Sequence, residues 1–88
     1  MKNIKLATIT ILVPNRHANI NPVNQIITKN GHLIIGRMGI SVERQCLKGC
    51  TGLITLSIEG TKIEIENLTK KLNQLKNIRA KNIIISQP

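Results

Sequence analysis

Along Lys5–Val13, residues Ala7, Ile9, Ile11 and Val13 fall on one side of an extended chain, while Leu6, Thr8, Thr10 and Leu12 fall on the other. This period of two predicts a strand with one fully apolar face and one mixed face, ended by Pro14. The period then changes. Ile20, Val23 and Ile27, joined by Ile26, recur at spacings of three and four and form a helical stripe. Asn19 or Asn21 is suited to N-cap this helix, with Pro22 in a first turn that needs no amide, and Asn30-Gly31 to stop it. His32 to Ile40 reads as a second strand, with Leu33, Ile34 and Ile35 buried. Its Gly36 and Gly39 remove side chains where something must approach the backbone or the chain must turn. Ser41 to Gly49 is polar, carries Glu43, Arg44 and Lys48, and reads as a hairpin connection longer than the minimum. Cys50 to Glu59 is the third strand. Gly52, Ile54, Leu56 and Ile58 make one face; Thr51, Leu53, Thr55 and Ser57 make the other.

The next segment starts with its own signal. Thr61 followed by Glu64 is a capping box, and Ile65, Leu68, Leu72 and Leu75 then trace one stripe of an amphipathic helix. Glu66 precedes Lys70 by four residues, a favourable surface pair. After Lys76-Asn77 a last strand, Ile78 to Ser86, is centred on Ile83-Ile84-Ile85. Strand, helix, strand, strand, helix, strand is the order of the split βαβ unit. The expected fold is α+β: a ferredoxin-like βαββαβ sandwich, with two helices on one face of a four-stranded antiparallel sheet. Each helix has one apolar stripe and can bury one sheet face. The other face sets Leu6, Leu12 and Leu53 among threonines. A surface that apolar is seldom left wet, so self-association through it or through an edge strand is expected.

Composition narrows this picture. The chain has 88 residues, which suits one domain over 1–88. It has no Phe, Tyr or Trp, so its core must be aliphatic. Thirteen Lys/Arg against four Asp/Glu give a formal charge of +9, which attracts polyanions and anionic small molecules. The basic residues are dispersed in runs of two at most, as on an ordinary basic surface. Thr8 and Thr10 interrupt the apolar run after Met1-Lys2-Asn3-Ile4-Lys5, so the N-terminus suits a strand better than a signal peptide. No stretch approaches the ~20 apolar residues of a membrane span. A cytoplasmic location and no membrane association are expected.

Candidate chemistry is sparse. Cys46 and Cys50, four apart, complete a tetrahedral zinc set only if His17 and His32 join them, and neither histidine is near in sequence. A disulfide across the hairpin is the other use of the pair, against which a cytosolic location argues. Reduced thiols are therefore the reading preferred for Cys46 and Cys50, with metal and redox roles as alternatives. Arg16 and His17 lie in the loop after the first strand, where Arg16 beside a helix N-terminus suits a carboxylate or phosphate. Alternation points Arg37 away from Ile34, Gly36 and Met38. If Met38 faces the helices as a core filler, Arg37 lies on the open face and can meet an anion or a partner carboxylate. No catalytic set is present. Glu59, Glu64 and Glu66 cluster near one helix start, and there is no Ser/His/acid arrangement or phosphate loop. Base stacking as in RNA-recognition modules needs aromatics that the chain lacks. An acylphosphatase-like site would want an Asn or Gln on the third strand, and a copper-chaperone site paired cysteines after the first; neither is there.

Ile34-Ile35-Gly36-Arg37-Met38-Gly39-Ile40, preceded by a strand-helix unit and followed by a strand-helix-strand unit, resembles the small regulators linked to iron-only hydrogenase systems. These are ACT-like domains similar to the ligand-binding half of the nickel-responsive repressor. The resemblance covers nearly the whole chain and implies a cytoplasmic, non-catalytic, ligand-sensing regulatory domain acting as a homo-dimer or tetramer. No ribbon-helix-helix or helix-turn-helix segment precedes the domain, so direct sequence-specific DNA binding is not expected. The repressor's His-rich ligand set does not carry over, because only His17 and His32 are present. The expected ligand is a small anion held near Arg16, His17, Gly36, Arg37, Met38 and Gly39; the sequence specifies no cofactor. The alternatives are a basic nucleic-acid-binding accessory protein and a metal or redox sensor built on Cys46 and Cys50.

Overall fold

A computed structural model of the chain describes residues 3–42 and 49–86. The alternation at the start of the chain becomes β1 (Lys5–Val13), whose odd-numbered residues from Ala7 onward are buried. Helix α1 follows over Arg16–Lys29, then a short 3-10 turn over Gly31–Leu33, β2 (Ile34–Ser41), β3 (Gly52–Gly60), helix α2 (Lys62–Asn73) and β4 (Arg79–Ser86). The four strands form one antiparallel sheet in the order β2-β3-β1-β4. This is the ferredoxin-like α+β arrangement expected from the order of periods.

Register fixes the two faces. Ala7, Ile9, Ile11 and Val13 stand opposite Ile58, Leu56, Ile54 and Gly52. All eight are buried, and they form the core with Val23 and Ile27 of α1 and Ile65, Leu68 and Leu72 of α2. With no aromatic ring available, interdigitated Ile, Leu and Val fill this layer. Burying each such side chain completely contributes about 1.5–3 kcal/mol. The opposite face carries the row Ile40, Leu53, Leu12, Arg79 and the row Met38, Thr55, Thr10, Lys81.

Helix α2 matches its sequence signal. Thr61 Oγ1 accepts the Glu64 backbone N–H (3.2 Å), and Glu64 Oε1 accepts the Thr61 N–H (2.9 Å). Leu75 lies past the helix end but still packs on the core. Asn73 joins this end to the sheet: its side chain donates to the Ala80 carbonyl (2.8 Å) and accepts the Ala80 N–H (2.7 Å).

Helix α1 departs from its sequence reading. It begins at Arg16, well before Asn19 or Asn21, behind an N-cap Asn15 in the left-handed region (φ 45°, ψ 69°). Asn19 is inside the helix, and its side-chain amide donates back to the Pro14 carbonyl (2.6 Å). Pro22 therefore sits in the interior, where it removes one backbone bond, to Ala18. Ala18 is exposed, so water can take its carbonyl.

Strand β2 departs too. Ile34 pairs with Ile58 on the helix side, but Gly36 pairs with Ser57 on the open side, so Ile35 is an inserted bulge residue. Ile35 is 62 % exposed rather than buried. The bulge reverses the alternation after it. Met38 faces open and is 65 % exposed, which corrects its reading as a core filler, and Arg37 turns to the helix side.

Candidate anion-binding cleft

The bulge at Ile35 positions the site. Beyond it, Arg37 and Gly39 stand on the helix side of β2, opposite Leu56 and Ile54. β2 is an edge strand, and past Ile34 it is exposed or only half-buried. A cleft of about 370 Å3 opens here between the start of α1 and β2. Gly39, Gly52 and Ile54 line it from the sheet, Arg16, His17 and Ile20 from the helix, with Arg37 and Ile40 beside them.

Each cation has a local reason for its position. The early start of α1 puts Arg16 and His17 in its first turn. The Arg16 N–H donates to the Cys50 carbonyl (2.6 Å), which joins this turn to the chain entering β3. Gly52 gives the Arg16 side chain room: a Cβ there would lie 3.2 Å from Arg16 Cδ. Arg37 donates from Nη2 to Asn24 Oδ1 on α1 (2.7 Å), which steers the guanidinium towards the helix. Asn15 makes no side-chain cap, and the first turn of α1 carries no acidic residue. Two guanidiniums, an imidazole and the positive end of a helix thus meet beside Ile20 and Ile54, with no carboxylate among the described lining residues.

Of the residues singled out from the sequence, Arg16, His17, Arg37 and Gly39 line one cleft. Gly36 and Met38 do not, because the bulge directs them to the opposite face beside Ser57 and Thr55. Arg37 on the open face, the consequence of a core Met38, is likewise replaced by Arg37 above α1's side of the sheet. Ile20, Ile40, Gly52 and Ile54, which also line the cleft, and Asn24, which holds Arg37, are not among the residues the sequence singles out. The alternation of β3 already placed Gly52 and Ile54 under the helices; which part of that face remains uncovered depends on helix placement.

His17 in the first turn of α1 and His32 past its end stand about 20 Å apart at the helical rise per residue, so the two imidazoles do not share one tetrahedral site. Among the described residues no three His, Cys, Asp or Glu side chains gather into a metal-binding group. The reduced-thiol reading is corrected as well: Cys50 is buried and disulfide-bonded. The sequence has one other cysteine, Cys46, which lies outside the described residues, as do Glu43, Arg44 and Lys48. No helix among the described residues is long and apolar enough to cross a membrane.

The TM1266-like family, described as "Iron-only hydrogenase system regulator, putative", matches residues 5–82. The chain belongs to this family. The match runs from the first residue of β1 into β4, so it takes in both helices and the β2 segment that carries Arg37. Among solved structures, the uncharacterized protein TM1266 from Thermotoga maritima is similar at a TM-score of 0.82 and 23 % identity, over 94 % of this chain and 99 % of that one. At that identity the likeness shows the fold. No curated protein matches the chain.

Proposed function

We propose that this TM1266-like family member is a non-catalytic, ligand-sensing regulatory domain of an iron-only hydrogenase system. It acts in the cytoplasm as a homo-oligomer and binds a small anion with an apolar flank in the cleft between α1 and β2. The observation that carries the reading is the convergence of Arg16, His17 and Arg37 on a floor of Gly39, Gly52 and Ile54, with no acidic side chain among the described residues lining it. Charge-assisted bonds from guanidiniums suit a carboxylate or phosphate. Ile20 and Ile54 suit a short apolar body beside it. The family's description supports the regulatory part of the reading. The open sheet face supports self-association: Met38, Ile40 and Ile83 are each more than half exposed there.

The test is an NMR titration with inorganic phosphate and short branched carboxylates, on wild type and the variants Arg16→Gln and Arg37→Gln. Wild type is expected to give saturable shifts at the amides of His17, Gly39 and Gly52. Each variant should weaken binding about tenfold or more, the value of one lost charge-assisted bond. Shifts that spread over all the lysines and vanish together with added salt would point instead to bulk charge and to the nucleic-acid alternative.

A further inference from the structure

We propose that the cleft selects the dianionic phosphoryl group of a small phosphate monoester with a short apolar body, in preference to a carboxylate of the same size. This inference rests on the cleft being an anion site and names the head group that it takes. The donors come from two walls. Arg16 and His17 stand on the first turn of α1, and Arg37 comes from β2 across the opening. Asn24 fixes Arg37 there, because its Oδ1 accepts the Nη2 N–H at 2.7 Å. Asn24 is neutral, so this bond orients the guanidinium and leaves its charge to be met by a ligand. The backbone of α1 adds little beside these side chains. The Arg16 N–H already donates to the Cys50 carbonyl (2.6 Å), and those of Ala18 and Asn19 donate to the Asn15 carbonyl (3.0 and 3.2 Å). Recognition therefore falls mainly to the side chains.

Head-group geometry decides between the two classes of anion. A carboxylate has two oxygens in one plane, which suit the fork of a single guanidinium. Between Arg16 and Arg37 it pairs fully with one and leaves the charge of the other uncompensated. A phosphate monoester has three terminal oxygens at tetrahedral corners and, above a second pKa of about 6, close to two negative charges. One edge of that group can face Arg16 while another faces Arg37, so both guanidiniums are neutralised together. The ester oxygen, at the fourth corner, carries the body of the ligand, for which Ile20 and Ile54 supply apolar walls. Gly39 keeps the floor open beneath it. A Cβ there would stand 3.9 Å from Ile54 Cγ1, an ordinary contact distance, so crowding does not require the glycine. The volume of about 370 Å3 is at the small end for ligand clefts, which suits a monoester of a few carbons.

The experiment titrates three compounds that share one isobutyl body: isobutyl phosphate, isobutyl sulfate and isovalerate. The sulfate keeps the tetrahedral shape with a single charge, and isovalerate is the carboxylate. Each is added at one ionic strength and at about pH 8, where the phosphate is dianionic. The His17, Gly39 and Gly52 amides are followed in wild type, Arg16→Gln and Arg37→Gln. Wild type is expected to bind isobutyl phosphate about tenfold or more tighter than either monoanion, the value of one additional charge-assisted bond. Each variant should lose most of that preference, because one wall of the grip is gone. A preference that survives either substitution overturns the two-walled grip. Equal binding of the three compounds, or tighter binding of isovalerate, overturns the phosphoryl selectivity and leaves the anion cleft standing. The absence of saturable shifts with all three overturns the cleft as well. A short 5′-phosphorylated oligonucleotide offers the same head group on a macromolecule, and tighter binding of it than of isobutyl phosphate overturns the small-molecule ligand.

Discussion

Strand β3 begins and ends on buried glycines that face the helices, and the same substitution should destabilise the protein at one end and leave its stability nearly unchanged at the other. At Gly60 an added Cβ would lie 3.1 Å from Leu33 Cδ2 and 3.3 Å from Glu64 Oε1. Neither atom can yield cheaply. Leu33 is in the core, and Glu64 Oε1 already accepts the Thr61 N–H at 2.9 Å and the Thr61 hydroxyl at 3.0 Å. Overpacking costs about 1–3 kcal/mol, and a weakened capping bond adds about 0.5–1.5 kcal/mol. The lost freedom of the unfolded chain returns about 0.4–1 kcal/mol. Gly60→Ala should therefore destabilise by about 0.5–4 kcal/mol, centred near ~2 kcal/mol, which lowers Tm by roughly 4–8 °C per kcal/mol for a chain of this size. At Gly52 the Cβ would meet Arg16 Cδ at 3.2 Å, but that atom belongs to a long, partly exposed side chain that can swing aside. The entropic gain then balances the small repacking cost, and Gly52→Ala should stay within about 0.5 kcal/mol of wild type. Its penalty should appear as weaker phosphate binding, because the displaced atom carries the Arg16 guanidinium. Urea denaturation followed by circular dichroism, at one fixed protein concentration, gives both values. A loss above about 2 kcal/mol at Gly52, or none at Gly60, would refute the steric reasoning.

Three other substitutions probe the remaining supports. Thr61→Ala removes the acceptor for the Glu64 N–H and half of the box, and should cost about 1 kcal/mol in urea denaturation. Asn73→Ala leaves the buried Ala80 without partners for its N–H and carbonyl, and should cost about 1–3 kcal/mol; a loss below ~0.5 kcal/mol would mean that the bridge does not join α2 to β4 in solution. Ile40→Lys puts a charge into the apolar row with Leu53 and Leu12, and light scattering should show a smaller assembly with the circular-dichroism spectrum unchanged; an unaltered mass would show that this row is not the contact.

The periods of two and 3.6 made most of this fold legible, and for a physical reason. In β1 and α2 each residue's side is set by the local backbone, so Ile9, Ile11, Ile65 and Leu68 could be assigned to the core from spacing alone. The Thr61–Glu64 box was legible because both partners lie within four residues. What failed to show depended on distant groups. Pro22 and the asparagines around it suggested a late helix start, yet burial of Ile20, Val23 and Ile27 against the sheet tolerates a proline in the interior of α1. The state of Cys50 was misjudged because compartment, not geometry, was used to decide it.

The bulge at Ile35 was the costliest omission, since a single inserted residue changes the side of every residue after it. Without it, Met38 and Ile40 would face α1 and Arg37 would face the open side. The cleft would then lose Arg37 altogether. With the bulge, the apolar pair Met38 and Ile40 goes to the open face of the sheet, and Arg37 meets Asn24 above the glycine floor. One register shift therefore furnishes two surfaces at once, an apolar one suited to the proposed assembly and a cationic one suited to the proposed ligand. They share the same eight-residue strand, so a ligand that tightens Arg37 and Gly39 acts on the backbone that carries Met38 and Ile40. That shared strand is the shortest physical route by which occupancy of the cleft would alter how copies of this chain associate.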